Sequence, residues 1–508
     1  MFFRLLMANF QVSQRLLELT RQSKRRIIEP EYYYDVIERY SQLFCPENTE
    51  NNRLAYTEFW LKIDNAKKLY NAMRGSELNA IALCMQTIRT ILKDKRLKDD
   101  RVIYPIDTVL MVIVLANLHG FNTADEIALF YKAKYLELVF LIDGIPGPEH
   151  MLAPSSINRI RRMFSKDEIN HLLNSYLRPH PKTLELLIEN EEQRLRPEHA
   201  NRHTIGFDGQ EITKSFVRGE TSRRKKAAVG VTVFDCTSKT AIALKAVVKK
   251  NNEACAFLSM LPYLNIQNGI VCADALNTKG DISYELYKRD IDYLFNIKEN
   301  AGNKELKGHI EAIFWREHAK GDKSAVKTRT YCQKAHGRID QWTVNILPAT
   351  LLDKRIKNPH QGVKTLVEYI KESTYIIDGK VARVTKNSRC YISSLDFTDE
   401  NADQILYSIM DYWAIEQHHS RIDDPKVFNQ DATQTCQHDY AESVLGINKV
   451  TYNILTWIRQ KMIKESTKKS FRPSYSMIQD MLNQRPLFYS FSLLAEYYQE
   501  VNLSSTEA

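Results

Sequence analysis

A chain of 508 residues exceeds what one hydrophobic core supports, because single cores stop growing near about 250 to 300 residues, so at least two domains are expected. With 44% hydrophobic and 26% charged residues and only 17 Gly and 15 Pro, the composition excludes a disordered or collagen-like chain. The 71 Lys and Arg against 62 Asp and Glu leave a net charge of +9, which suits a polyanionic partner without requiring one.

Eight cysteines run from Cys45 to Cys436 with no Cys-x-x-Cys pair, so neither a zinc knuckle nor a disulfide framework is expected, and a reducing cytoplasm is the expected compartment. The apolar start at Met1 is interrupted by Arg4, leaving no signal-peptide core. The apolar run 109–118 is ten residues long, whereas a membrane span needs about 20. It reads as a buried helix, and no membrane partner is expected.

In chain order, residues 1–100 carry Leu, Ile, Tyr, Arg and Lys at helical spacing, which predicts a helical extension. Helices follow at 105–118 and 123–135, then a loop at Ile145-Pro146-Gly147-Pro148, then a basic helix 157–164 with Ser155 or Ser156 as its cap. This second helical block, 101–195, is a candidate DNA-binding region. At 204 the period turns strand-like, with β-branched runs at 204–207, 227–234 and 241–248. A helix at 252–264, a strand at 269–273, a helix at 282–289 and a strand at 293–297 complete the order β-β-β-α-β-α-β. That order predicts an α/β fold whose mixed sheet carries helices on its faces. The first part of the core is placed at 200–320 and a β-rich insertion at 321–397. A helix beginning at Thr398 or Asn401 opens the second, helical part, 398–465, before a tail at 466–508.

Asp208 is expected at the end of the first strand and Asp274 at the end of the fourth. A crossover helix between them allows these strands to lie parallel and adjacent, about 4.8 Å apart, at the edge where open α/β sheets bind ligands. Hard carboxylate oxygens there suit Mg²⁺ or Mn²⁺. The plainer reading makes Asp208-Gly209 a hairpin turn and Asp274 a cap. Ile405, Ile409, Trp413 and Glu416 recur at three- and four-residue steps, which puts Glu416 on a buried helical stripe. A carboxylate there needs a metal, a cation or a place at the helix edge.

The run Arg223, Arg224, Lys225 and Lys226 flanks the proposed site and is either a solvated charge run or a phosphate contact. His336-Gly337-Arg338 reads as a turn, with a DNA contact by His336 and Arg338 as the alternative. The adjacent His418 and His419 diverge in a helix and do not share one metal.

Several stretches together resemble the DDE transposases of bacterial insertion sequences, in the H-repeat-associated (ISAs1-type) branch. They are Phe207-Asp208-Gly209, Asn252-Glu253, Asp274-Ala275-Leu276, Asp292-Tyr293-Leu294 with Lys298 and Asn300, His336-Gly337-Arg338, Tyr391-Ile392-Ser393-Ser394-Leu395 and Trp413-Ala414-Ile415-Glu416. The resemblance covers roughly residues 100 to 460. It implies a ribonuclease H-like core with a β-rich insertion before the last catalytic helix. It further implies Asp208, Asp274 and Glu416 as ligands of two Mg²⁺ ions, with Mn²⁺ as a substitute. Lys298, Asn300 and Trp413 join the DNA contacts that it implies. The implied activity is cleavage and strand transfer at element ends by in-line phosphoryl transfer. The implied partners are double-stranded DNA, as terminal inverted repeats and target, and further copies of the chain on that DNA. A bacterial cytoplasm, with nucleoid association on binding, follows.

The chain departs from the branch at Gln210, where Lys is common, at Lys279, where Gln is usual, and at Met410 and Tyr412, where Arg and His precede the Trp. Two other readings therefore stand beside the first: a domesticated DNA-binding protein that does not cut, and a ribonuclease H-like nuclease acting outside transposition.

Overall fold

The structure, a computed structural model, describes residues 75–92, 94, 96, 102–142, 144–146, 150–173, 196–212, 228–247, 253–274, 276–299, 302–320, 325–335, 337–377, 380–413, 415, 427–428, 438–468, 471–485 and 487–505. The chain divides into two compact units, one within 1–187, 214–218 and 422–508 and the other within 188–213 and 219–421. The stretch 398–465, read from sequence as one part of the core, is split between them.

The described part of the first unit is helical. Its central helix, Ile106–Leu118, is buried along its whole length, as the apolar run predicts. The helix expected at 123–135 is instead two, Ala124–Ala133 and Tyr135–Leu141. Thr123 opens the first through a reciprocal capping box with Glu126. At the junction, buried Lys134 pairs with Glu137 at 2.8 Å. The basic helix starts earlier than expected, at Pro154 with Ala153 as its cap residue, so neither Ser155 nor Ser156 caps it. Proline's fixed φ suits the first helical position. Arg161 of this helix is buried and donates to the Asn122 carbonyl at 3.0 Å, a structural use of a basic side chain. The long helix His438–Glu465 joins this unit, with Tyr440 donating to Asn158 and Ser443 to the Phe164 carbonyl. Among the described residues no helix is long and apolar enough to cross a membrane.

The second unit is built on one mixed sheet of nine strands. β1 is Thr204–Glu211, β2 Val229–Asp235, β3 Thr240–Val247, β4 Ile270–Ala273 and β5 Asp292–Ile297. β6 is Lys327–Ala335, β7 Arg338–Pro348, β8 Thr365–Ile377 and β9 Lys380–Ser393. Helix α1, Glu253–Met260, crosses from β3 to β4, and α2, Gly280–Lys288, crosses from β4 to β5. The spatial order is β3-β2-β1-β4-β5-β9-β8-β7-β6. β1, β4 and β5 run parallel and the remaining pairs antiparallel. The element order β-β-β-α-β-α-β is therefore present.

Three features differ from the sequence reading. Helix α3, Lys304–Ala319, follows β5 and was not expected; its apolar positions Leu306, Ile310, Ile313 and Phe314 form one buried stripe. The strands of 321–397 do not make a separate sheet, because β9 pairs antiparallel with β5 and extends the same one. Asp208 lies inside β1 rather than at its end, because the antiparallel ladder to β2 continues through Glu211, and this excludes a hairpin turn at Asp208-Gly209.

Two cores flank the sheet. On one face Phe207, Val271, Phe295 and Ile392 pack with Phe257 of α1, Leu286 of α2 and Phe314 of α3. On the other, Ile270, Cys272, Leu294, Val344 and Val367 pack with Ile405, Leu406 and Ile409 of α4, Asp399–Tyr412. The Phe207 and Phe257 rings stack at 4.3 Å with an interplanar angle of 11°, which seats α1 on β1. Phe257→Ala leaves a cavity against Phe207 and is expected to destabilise this unit by about 3 to 5 kcal/mol. Chemical denaturation followed by circular dichroism measures it; a loss below about 1 kcal/mol would show that the stack does not hold α1.

Candidate active site

The parallel pairing of β1 and β4 reaches Gly206 opposite Cys272. Asp208 and Asp274 each follow by two residues, so they lie side by side just past the last paired rung. Side chains alternate along a strand. Ile205 and Phe207 of β1, and Val271 and Ala273 of β4, face the α1 core, while Ile270 and Cys272 face α4. By the same alternation the two carboxylates share the α4 face. Both residues are partly exposed. Asp208 Oδ1 accepts the Gly209 N–H at 2.9 Å, and Asp274 Oδ1 accepts the Asn277 N–H at 3.0 Å, which closes a turn after β4.

α4 brings a third element to this place. Thr398 caps it, accepting from the Asn401 N–H at 3.1 Å, which settles the start left open between Thr398 and Asn401. Ile405 and Ile409 are buried as expected. A polar stripe beside them fixes the helix over β1: Gln404 exchanges two hydrogen bonds with the Arg202 backbone, at 2.9 and 3.2 Å. Asp411 accepts from Arg196 at 2.8 Å and from Thr237 at 2.9 Å. The spacing of Gln404, Ser408 and Asp411, one helical turn apart, was the available signal, and the sequence reading passed over it.

The helix was expected to run through Trp413 with that residue on the buried stripe; it ends on Tyr412 instead, with Trp413 as its partly exposed cap residue. A Cβ added at Gly206 would lie 3.1 Å from Tyr412 Cε2, 3.1 Å from Cys236 Sγ and 3.2 Å from Ile415 Cδ1, so the chain end of α4 packs on bare backbone two residues before Asp208. Burial, then the negative charges of Asp274 and Asp208, push the Tyr412 phenol well above its ordinary value. Burial likewise raises the Cys236 and Cys272 thiols beneath it.

Of the other expected site residues, Lys298 is exposed just beyond β5. Arg338 pairs with Asp340 at 2.9 Å and lies over the Tyr375 ring. The Trp413 ring is covered by the Arg389 guanidinium, 4.9 Å from its centroid. Glu416, Arg223, Arg224, Lys225, Lys226, Asn300 and His336 lie outside the described residues. Among the described residues no three His, Cys, Asp or Glu side chains gather as a metal site. Sequence analysis singled out Asn252-Glu253 as a motif stretch but gave Glu253 no role; the buried Glu253 accepts a hydrogen bond from Asn277 at 2.7 Å.

The fit of α4 on Gly206 is testable. Gly206→Ala requires Tyr412 or Ile415 to move by a few tenths of an ångström, and overpacking of this kind costs about 1 to 3 kcal/mol. Gly302→Ala, where the added carbon meets nothing within 4 Å, is the control. Thermal melting should fall for the first variant and stay near the parent for the second; equal melting temperatures would show that the end of α4 yields freely.

No family model matches the chain. Three proteins of Escherichia coli (strain K12) do. The putative protein YbfL is 29% identical over 279 residues, 54% of this chain and 68% of that protein. The H repeat-associated putative transposase YhhI is 28% identical over 279 residues with the same coverage. The H repeat-associated putative transposase YbfD is 31% identical over 102 residues, 20% of this chain and 39% of that protein. The chain is thus a relative of proteins named H repeat-associated putative transposases, the branch that its aspartate and tryptophan motifs resemble.

Proposed function

We propose that the chain is a DDE-type DNA transposase with a ribonuclease H-like core, cutting and joining DNA at the ends of an insertion sequence. The observation that carries this reading is the pair Asp208 and Asp274, each two residues beyond the last paired rung of adjacent parallel strands. Relatives named transposases support it.

Two partly exposed carboxylates at one edge of the sheet are hard oxygen donors, which fits Mg²⁺ or Mn²⁺. When bound, a pair of such ions supplies charge stabilisation to the phosphodiester and to the attacking oxygen. Asp208 and Asp274 fix where that charge sits, because their strands are tied by the sheet ladder. Glu416, four residues beyond Tyr412, is the proposed third donor, and the anchoring of α4 by Gln404 and Asp411 sets where the chain leaves the helix. Attack by water, or by a freed 3′-hydroxyl in strand transfer, forms one P–O bond as the bond to the leaving oxygen breaks in line. The Arg223 to Lys226 run, Lys298, Asn300, His336, Arg338 and Trp413 are proposed contacts to terminal repeats and target duplex, mainly through phosphates. Several copies acting on paired ends complete the reading, in a bacterial cytoplasm and on its nucleoid.

A second reading, a DNA-binding protein that no longer cuts, is favoured by one observation: Tyr412, standing where the family commonly has His, is half-buried and packs over Gly206, two residues before Asp208. Asp208→Asn, Asp274→Asn and Glu416→Gln keep side-chain size and remove negative oxygen. Each is expected to nearly abolish Mg²⁺-dependent cleavage of a labelled element end while gel-shift affinity and melting temperature stay near the parent. Normal cleavage by any two variants would overturn the triad. An inactive parent that binds DNA tightly would establish the second reading.

A further inference from the structure

We propose that Glu253 is a positioning residue for the aspartate pair, acting from the reverse face of the sheet through Asn277 and the backbone at Gly209. The inference rests on the reading of Asp208 and Asp274 as metal-holding carboxylates and adds a residue that this reading does not contain.

Glu253 opens α1 and is only 6% exposed. Its Oε2 accepts a hydrogen bond from Asn277 Nδ2 at 2.7 Å, and Asn277 is itself 5% exposed. The Asn277 backbone N–H donates to Asp274 Oδ1 at 3.0 Å. The other oxygen of Glu253 lies against Gly209, where an added Cβ would come within 2.5 Å of it. The Gly209 N–H in turn donates to Asp208 Oδ1 at 2.9 Å. One buried carboxylate therefore touches both the turn that orients Asp274 and the segment that orients Asp208.

Strand alternation separates this role from that of a ligand. Gly209 shares its side of β1 with Ile205 and Phe207, the α1 face, while Asp208 points to the α4 face. Glu253 thus stands behind the pair and reaches it through Asn277 and Gly209. A hydrogen bond to a carboxylate is stronger and shorter than a neutral one, and removing an outer partner of a metal ligand commonly lowers metal affinity or activity by about 10- to 100-fold. Glutamine keeps an oxygen that can accept from Asn277 at nearly the same size; alanine does not.

The test measures Mn²⁺ affinity by electron paramagnetic resonance of the free ion, together with cleavage rate and melting temperature, on the full chain. Glu253→Ala and Asn277→Ala are each expected to weaken Mn²⁺ binding and cleavage by about 10- to 100-fold, with the double variant no worse than either single change. Glu253→Gln is expected to restore both towards the parent with the number of bound ions unchanged. If Glu253→Ala fails to fold, Asn277→Ala and Glu253→Gln decide the question. Loss of one bound ion in Glu253→Gln would make Glu253 a direct ligand and overturn the proposal. Unchanged Mn²⁺ affinity in folded Glu253→Ala or Asn277→Ala would overturn it as well. A parent that binds no Mn²⁺, or an Asp208→Asn variant that binds it like the parent, overturns the metal reading itself and is distinguished by appearing before Glu253 is changed.

Discussion

The candidate site depends on the two-residue period of β1 and β4. Because these strands are parallel neighbours in register from Thr204 opposite Ile270 to Gly206 opposite Cys272, residues at equal distance beyond the ladder emerge together and on the same side. A slip of one residue in either strand would send one aspartate to the α1 core. The apolar partners guard against that slip: Phe207, Val271 and Ala273 are buried on one side and Ile270 and Cys272 on the other. The hydrophobic pattern that stabilises the sheet is therefore also what aims the carboxylates.

The second constraint is the absence of a side chain at Gly206. Its bare backbone accepts Tyr412 and Ile415, and this close approach brings the end of α4 to the aspartates. Gln404 and Asp411 hold the helix by polar contacts, while Ile405 and Ile409 hold it by apolar burial. Position and energy are thus supplied by different residues of one helix. On the opposite face α1 performs a related division, with Phe257 packing on Phe207 and Glu253 reaching the turn after β4.

Much of this was legible in the sequence because it follows from local periodicity. The β-branched runs, the apolar strand 270–273 and the stripe through Ile405 and Ile409 announce the sheet and α4. That β1 and β4 lie parallel and adjacent was expected from the crossover helix between them. What was not legible depends on contacts between distant residues. The junction of β9 with β5, which makes one sheet of two expected parts, joins residues about a hundred apart in sequence. Asn252-Glu253 stood out as a motif stretch, but the place of Glu253 beside Asn277 and Gly209 appears only in the fold. α3 was missed although its apolar spacing is regular, because its mixed Lys, Glu and Trp composition hid a narrow buried stripe. The early start of the helix at Pro154 shows a proline at the first turn outweighing two available serines.

Asp208 and Asp274 are proposed to hold divalent metal jointly. The most direct measurement is anomalous diffraction from crystals of the full chain grown with Mn²⁺. Joint metal holding predicts Mn²⁺ peaks within coordination distance of both carboxylates, with two ions about 3.5 to 4 Å apart on the α4 face. Manganese absent from these two aspartates, or bound only elsewhere while the crystal is saturated with it, would contradict a metal-holding pair.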